Sequence, residues 1–275
     1  MKWRGRAGSQ NIEDRRGVGG RGMAVGGVGG LVLLLVISAL TGRNPTELLD
    51  TFSAPSDSVS TGQAPSADDP QYEFMSVVLA DTEKTWGQLF SEAGLSYEPP
   101  VLVLFTESTT SACGLGESAM GPFYCPGDRK VYLDLSFFRD LDERFGAPGD
   151  FAQAYVVAHE VGHHVQTLTG VSARMQAARQ RAGEREGNAL SVQQELQADC
   201  YAGVWGHYAA RGGLLEPGDA EEGLMAAAAI GDDRLQRQAQ GRVVPESFTH
   251  GSSEQRVTWL RRGLESGRMD VCDPR

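Results

Sequence analysis

The stretch Phe151-Ala-Gln-Ala-Tyr155-Val-Val-Ala158-His159-Glu160-Val161-Gly162-His163-His164-Val165-Gln-Thr-Leu168 decides how the rest of the chain is read. Phe151, Tyr155, Ala158, Val161, Val165 and Leu168 recur three and four residues apart, the period of a helix that buries one side. Asp150 stands where an N-cap would be and Gly170 follows the last periodic residue, so a helix over 150–169 is predicted. On that helix His159 and His163 lie about one turn apart on a single face, within reach of one metal ion. Glu160 lies about 100° round from His159, beside such an ion rather than under it. This is the H-E-x-x-H arrangement, in which two histidines bind zinc and the glutamate acts as general base toward water. A chance match on a solvated helix is the plain alternative, and the apolar periodicity running through the motif weighs against it. Gly162 costs about 1 kcal/mol relative to alanine inside a helix, which predicts the close approach of a strand or of substrate there.

A catalytic zinc takes three protein ligands and keeps one position open, so a third ligand is required from elsewhere. Downstream the chain reads Ser191-Val-Gln-Gln194-Glu195-Leu196-Gln-Ala-Asp199-Cys200-Tyr-Ala-Gly203. Ser191 and Gln194 have the spacing of a capping box, predicted to open a second helix on which Glu195 and Asp199 share a face. Glu195 is expected to complete the metal site, and Asp199 to accept the spare ring N–H of a ligand histidine and fix its tautomer. The other reading is a solvated acidic face. Leu196, Cys200 and Val204 make the helix amphipathic, however, with Asp199 next to its apolar side.

His159-Glu160-x-x-His163 followed by Glu195-x-x-x-Asp199 resembles the gluzincin metallopeptidases, whose third ligand is glutamate. Cys113-Gly, Gly121-Pro-Phe-Tyr-Cys125-Pro, Val131-Tyr-Leu-Asp134-Leu-Ser-Phe137-Phe, Glu195 to Trp205 and Ser247 to Arg256 are together similar to the YpfJ-type neutral zinc metallopeptidases, over about residues 70–273. The resemblance implies a zincin-like domain, Zn²⁺ as cofactor, and a metalloendopeptidase acting on a peptide or protein substrate. It leaves the particular substrate open. In gluzincins a histidine, tyrosine or arginine outside the metal shell stabilises the oxyanion. The stretch Thr-His250-Gly-Ser-Ser-Glu-Gln-Arg256 is similar to the C-terminal histidine and arginine of membrane CAAX-type peptidases, which makes His250 and Arg256 candidates; His250 capping a helix or facing solvent is the alternative. His164 and His207 are expected to be structural. Substrate is expected to lie extended along an edge strand near 131–135, by analogy. A degenerate peptide-binding or adaptor domain is the competing function class, as is a non-peptide hydrolase. An intact Glu160 argues against the binding module, which has no use for a base between two ligands.

The chain of 275 residues is 40% hydrophobic, enough for a proper core, and its formal net charge is −11. Residues 1–22 hold Lys2, Arg4, Arg6, Arg15, Arg16 and Arg21 against Glu13 and Asp14, a net +4 that leaves −15 for the remainder. A globular part so acidic argues against nucleic-acid binding, which needs a basic footprint. Residues 23–41 carry no charge and would span about 28 Å as a helix, one bilayer core. With basic residues upstream, the positive-inside rule predicts a transmembrane signal-anchor with residues 1–22 cytoplasmic and the following domain extracytoplasmic. A cleaved signal peptide is the rival. Residues 42–69 are rich in Ser, Thr, Pro, Asp and Gly and read as a flexible linker. The domain is then expected over 70–275, soluble and active without the first 69 residues.

Within it, Phe74, Val77, Val78, Asp81, Thr85, Trp86 and Phe90 keep helical spacing up to Gly94. Val101 to Phe105 and Val131 to Leu135 are short apolar runs predicted as strands. An alanine-rich helix is predicted from Asp219 to Ile230, and a last helix from Ser252, capped with Gln255. The fold class is therefore α+β, mostly helical with a small sheet. Cys113, Cys125, Cys200 and Cys272 allow three disulfide connectivities. Cys113–Cys125 and Cys200–Cys272 are favoured, and no pair has the close spacing of a thiolate zinc site.

Overall fold

The computed structural model describes residues 1–17 and 69–274. Residues 23–41, expected to anchor the chain in a membrane, and nearly all of the expected linker lie outside them. Among the described residues no helix is long and apolar enough to cross a membrane. The architecture is α+β and mostly helical, as expected.

A four-stranded sheet has the order β1-β2-β6-β5, with β1 Ile12–Asp14, β2 Val101–Phe105, β5 Phe123–Cys125 and β6 Lys130–Asp134. β1, β2 and β6 are parallel, and β5 runs antiparallel to β6 with Phe123 opposite Tyr132. β2 has strands on both sides and is buried from Leu102 to Phe105, which explains its unbroken apolar sequence. β3 Ser108–Ser111 and β4 Gly114–Glu117 form a separate hairpin. The Cys113–Cys125 disulfide ties this hairpin to β5. Buried Asp134 accepts from the Glu107 amide at 2.8 Å and from the Ser118 hydroxyl, one on each side of the hairpin, and from the Ser136 amide at 2.8 Å.

Met1–Arg15 belong to the same compact unit as the domain. This corrects the expectation of a separate basic segment over 1–22 and of a domain that begins at 70. β1 pairs in register with β2, Met1 and Trp3 are buried, and the Trp3 ring lies 5.4 Å from that of Phe74. A three-residue strand followed directly by two arginines has no periodicity long enough to announce itself, and its partner is ninety positions away.

The helices are α1 Pro70–Glu92, α2 Ser136–Glu143, α3 Asp150–Leu168, α4 Val171–Arg179, α5 Glu184–Arg211, α6 Asp219–Ala229, α7 Asp232–Gln240 and α8 Ser253–Ser266. α3 is the predicted motif helix, but Asp150 is its first residue and Gly149, at φ 118°, is the N-cap. Asp150 instead lies 2.7 Å from the Met1 ammonium, and Glu222 of α6 accepts from the Phe151 amide at 3.1 Å. α5 starts two turns earlier than the sequence suggested. Ser191 sits in mid-helix, its hydroxyl bonded back to the Gly187 carbonyl at 3.2 Å. A Ser-x-x-Gln spacing also fits a helix interior, and Gly187-Asn188 disguised the two turns before it. α8 is capped as predicted, with Ser252 and Gln255 forming a capping box.

Glycines let three helices meet at backbone contact. A Cβ on Gly162 of α3 would lie 2.9 Å from the Ala198 carbonyl oxygen of α5. The close approach inferred from Gly162 is real, and the neighbour is a helix rather than a strand or substrate. Gly203 of α5 and Gly263 of α8 face each other, and a Cβ on either would run into backbone of the other helix. The Cys200–Cys272 disulfide fastens the C-terminal turn to the same part of α5. Phe151 of α3 stacks on Trp205 of α5 at 5.7 Å, so both helices that carry candidate ligands are set in one core.

Candidate metal centre and catalytic cleft

α3 and α5 run antiparallel, and their contact brings together His159, His163 and Glu195, whose ligand atoms all lie within 4.8 Å of one another. His159 Nε2 is 3.1 Å from Glu195 Oε2, and His163 Nε2 is 3.3 Å from Glu195 Oε1. The other nitrogen of each ring is already engaged. His159 Nδ1 lies 2.8 Å from Asp199 Oδ1, and His163 Nδ1 lies 2.9 Å from Gln166 Oε1. Gln166 is fixed in turn, its amide donating to the Gln194 carbonyl at 2.7 Å and to Gln197 Oε1 at 3.0 Å. Both rings therefore have Nδ1 held as a donor and Nε2 directed at the Glu195 carboxylate, the orientation in which a metal ion would replace the proton between them. Two imidazoles and one carboxylate are a donor set suited to zinc, with a position left open toward the cleft.

Charge agrees with this. Burial disfavours a charged His159, but Asp199 and Glu195 outweigh it and push its pKa up to about 10. For Glu195 burial works upward, and the two histidines hold the carboxyl well below its usual range. The buried carboxylates call for positive charge at the point where the Nε2 atoms converge.

Asp199 is fully buried and organises the layer behind the ligands. It accepts from His159, from the Tyr155 hydroxyl at 2.6 Å, and from Arg256 of α8 through Nε and Nη2, both at 2.9 Å. Arg256 also donates to the Tyr155 hydroxyl at 3.1 Å and to the Ile230 carbonyl at 3.3 Å. Burial raises the Asp199 carboxyl, but Arg256 and His159 outweigh it and bring the pKa down to about 2. Arg256, expected as a possible oxyanion donor, thus has its guanidinium committed to Asp199.

Glu160 is 8% exposed on the cleft wall, and among the described residues its carboxylate makes no hydrogen bond or ion pair. The cleft has a volume of about 740 Å³ and is also lined by His250. His250 does not cap α8; it hangs from Asp232 at the start of α7. One Asp232 oxygen accepts from the amides of Thr249, His250 and Gly251 at 2.7, 2.7 and 3.1 Å, and the other lies 3.3 Å from His250 Nδ1. The Asp232 bond raises the His250 pKa against the pull of burial. Asp232 escaped sequence reasoning, because an Asp-Asp pair after Gly231 reads as an ordinary helix start. His164 and His207 are structural, bonded to the Glu98 carbonyl at 2.6 Å and the Leu264 carbonyl at 2.9 Å.

The strand expected to edge the cleft is not at an edge. β6, over the predicted 131–135 run, lies between β2 and β5, and β5 is the outer strand whose Phe123 and Tyr124 line the cleft.

Comparison with known proteins agrees with the donor set. The Escherichia coli K12 protein YpfJ is 51% identical over 282 residues, covering 99% of this chain and 98% of the relative. The Mycobacterium tuberculosis H37Rv protein Rv2575 is 46% identical over 188 residues, 64% of this chain and 62% of the relative. No solved structure matches. The family model described as "putative neutral zinc metallopeptidase" matches residues 1–274, including the docked N-terminal segment, and implies zinc as the cofactor. The chain belongs to this zinc metallopeptidase family.

Proposed function

We propose that this protein is a zinc-dependent endopeptidase in which His159, His163 and Glu195 hold the metal and Glu160 is the general base. The observation that carries the reading is the convergence of two Nε2 atoms on Glu195 while both Nδ1 atoms are held by Asp199 and Gln166. Zinc, when bound, lowers the pKa of water and polarises a carbonyl. Glu160, without a hydrogen-bond or ion-pair partner among the described residues, takes the proton of the attacking water and returns it to the leaving amine as the C–N bond breaks. His250, whose charged form the Asp232 carboxylate favours, faces the cleft as the donor to the developing oxyanion. Arg256 acts through Asp199, holding His159 in its ligand tautomer. The peptide pairs with the free edge of β5, where main-chain hydrogen bonds hold an extended chain. Profiling the new N-termini released from a protein mixture tests this: wild type should generate fragments that Glu160→Gln does not. Identical profiles would sink it.

Anchoring through residues 23–41 belongs to the proposal and meets a condition. A single pass puts residues 1–22 and the domain on opposite faces of the membrane, whereas Met1–Arg15 are docked on the domain. The docked strand favours both flanks on one side. Protease protection of tags at each end in intact cells tests it, and opposite protection of the two tags would restore the single-pass arrangement.

A further inference from the structure

The two ends of the cleft differ in chemistry. Antiparallel α3 and α5 give it an axis, since His159 meets Asp199, His163 meets Glu195, and Gln166 meets the Gln194 carbonyl. Toward the start of α3 the lining is apolar: Val156, Phe137, Phe145, Ile230 and Leu235. Arg234 donates to the Phe145 carbonyl at 3.2 Å, fixing the start of α7 against the segment that follows α2. Toward the end of α3 polar side chains predominate, with Thr167, Ser172, Gln176 and Arg179 beside Ala173. Arg179 is half-buried and donates to the Ser191 hydroxyl at 3.1 Å. Among the described residues no carboxylate lies within ion-pair distance of it. Ser191 precedes Glu195 by one turn of α5, which places the guanidinium about 6 Å along the cleft from the metal ligands.

β5 gives the direction. Gly121, just before it, is beside the apolar end, where a Cβ would lie 3.7 Å from the Phe137 ring. Tyr124, further along, has its hydroxyl 3.0 Å from Nδ1 of His164, next to His163. β5 therefore runs from the apolar end toward the arginine end. Antiparallel pairing is the more stable and the commoner of the two, and a peptide laid that way against β5 enters with its N-terminal side at Arg179 and its C-terminal side in the apolar pocket. Val156 is one turn from His159, so the pocket meets the first residue after the scissile bond. An extended chain advances about 3.3 Å per residue, so Arg179 meets the second or third residue before it.

Resting on the peptidase reading above, we infer that Arg179 makes the site select polypeptides with an aspartate or glutamate two or three residues before the cleaved bond. The test uses the full chain loaded with zinc and quenched fluorescent peptides that carry Leu after the bond and Asp, Asn or Lys at both upstream positions. For wild type, kcat/KM should fall in the order Asp, Asn, Lys, with about 3- to 10-fold between the extremes for a partly solvated ion pair. Arg179→Gln should abolish the order, Arg179→Glu should invert it, and Arg179→Lys should keep it. α4 buries no residue, so melting temperatures of these variants should match wild type. Hydrolysis that Glu160→Gln removes but that ignores upstream charge, or an order unchanged in Arg179→Glu, overturns the specificity while leaving the peptidase reading intact. No hydrolysis of any peptide by wild type would count against the peptidase reading itself, and the inference falls with it.

Discussion

Replacing Asp199 with alanine strikes three contacts at once, because its two oxygens serve His159, Tyr155 and a doubly bonded Arg256. Both charges are buried, Asp199 at 0% exposure and Arg256 at 3%. The variant therefore leaves a guanidinium without its anion in the core. Breaking a buried pair from one side costs about 3–5 kcal/mol. In a unit of this size that lowers the melting temperature by about 6–20 °C. The same change frees the His159 ring, and loss of a partner behind a metal ligand weakens metal binding by about 10- to 100-fold. Thermal unfolding with and without a chelator separates the two effects, and competition against a chromophoric chelator reads the zinc affinity. The double variant Asp199→Leu, Arg256→Met removes both charges together and should recover most of the stability but none of the affinity. If Asp199→Ala melts within 2 °C of wild type, as less than about 1 kcal/mol would dictate, the pair is not the support described here. The same holds if the double variant is no more stable than the single one.

Glu195→Ala should fail to retain zinc, whereas Glu160→Gln should keep stoichiometric zinc and lose about 10²–10⁴ in kcat, measured by metal analysis and peptide hydrolysis. His250→Ala should lower kcat by about 10²–10³ with KM nearly unchanged, and Arg256→Ala should instead show the stability defect of Asp199→Ala. Because Asp232 raises the His250 pKa, the charged form persists above pH 6.5 and is lost as pH rises through the folded value. The alkaline limb of the pH–kcat profile should therefore move to lower pH in Asp232→Asn. Asp199, brought down to about 2, contributes stability above the ordinary carboxylate range that disappears as pH falls toward 2; an acid unfolding curve for Asp199→Asn should be flatter there. Deleting residues 1–15 removes β1 and buried Met1 and Trp3, and should cost about 3–6 kcal/mol by thermal unfolding; a fully stable domain from residue 70 would refute the docking.

The parts of the site that sequence disclosed are those set by helical period. His159, Glu160 and His163 are placed by a spacing that holds in any α-helix, and Glu195 with Asp199 by the same rule four residues apart. The C-terminal cap at Ser252 was equally local. Apart from the Cys200–Cys272 disulfide, contacts closed over long distances were mostly not legible. Nothing near Asp232 in the chain announces that its carboxylate collects the amides of Thr249, His250 and Gly251, and nothing near Ile12 announces β2. Whether 131–135 is an edge strand depends on β5, three residues long and without alternation. Arg256 was found for its sequence context, but only the packing of α8 on α5 shows that it faces Asp199. Gly162 signalled a close approach without saying what approached, since a glycine reports missing volume rather than the identity of a neighbour.

The central claim is that one zinc at His159, His163 and Glu195 works with Glu160 to cleave peptides. Titrating metal-free protein with zinc while following hydrolysis of the aspartate-leucine peptide tests it most directly. Activity should rise linearly and level off at one equivalent for wild type. Glu160→Gln should take up the same single equivalent and stay inactive. Activity in Glu160→Gln, or full wild-type activity in the metal-free protein, would contradict the account.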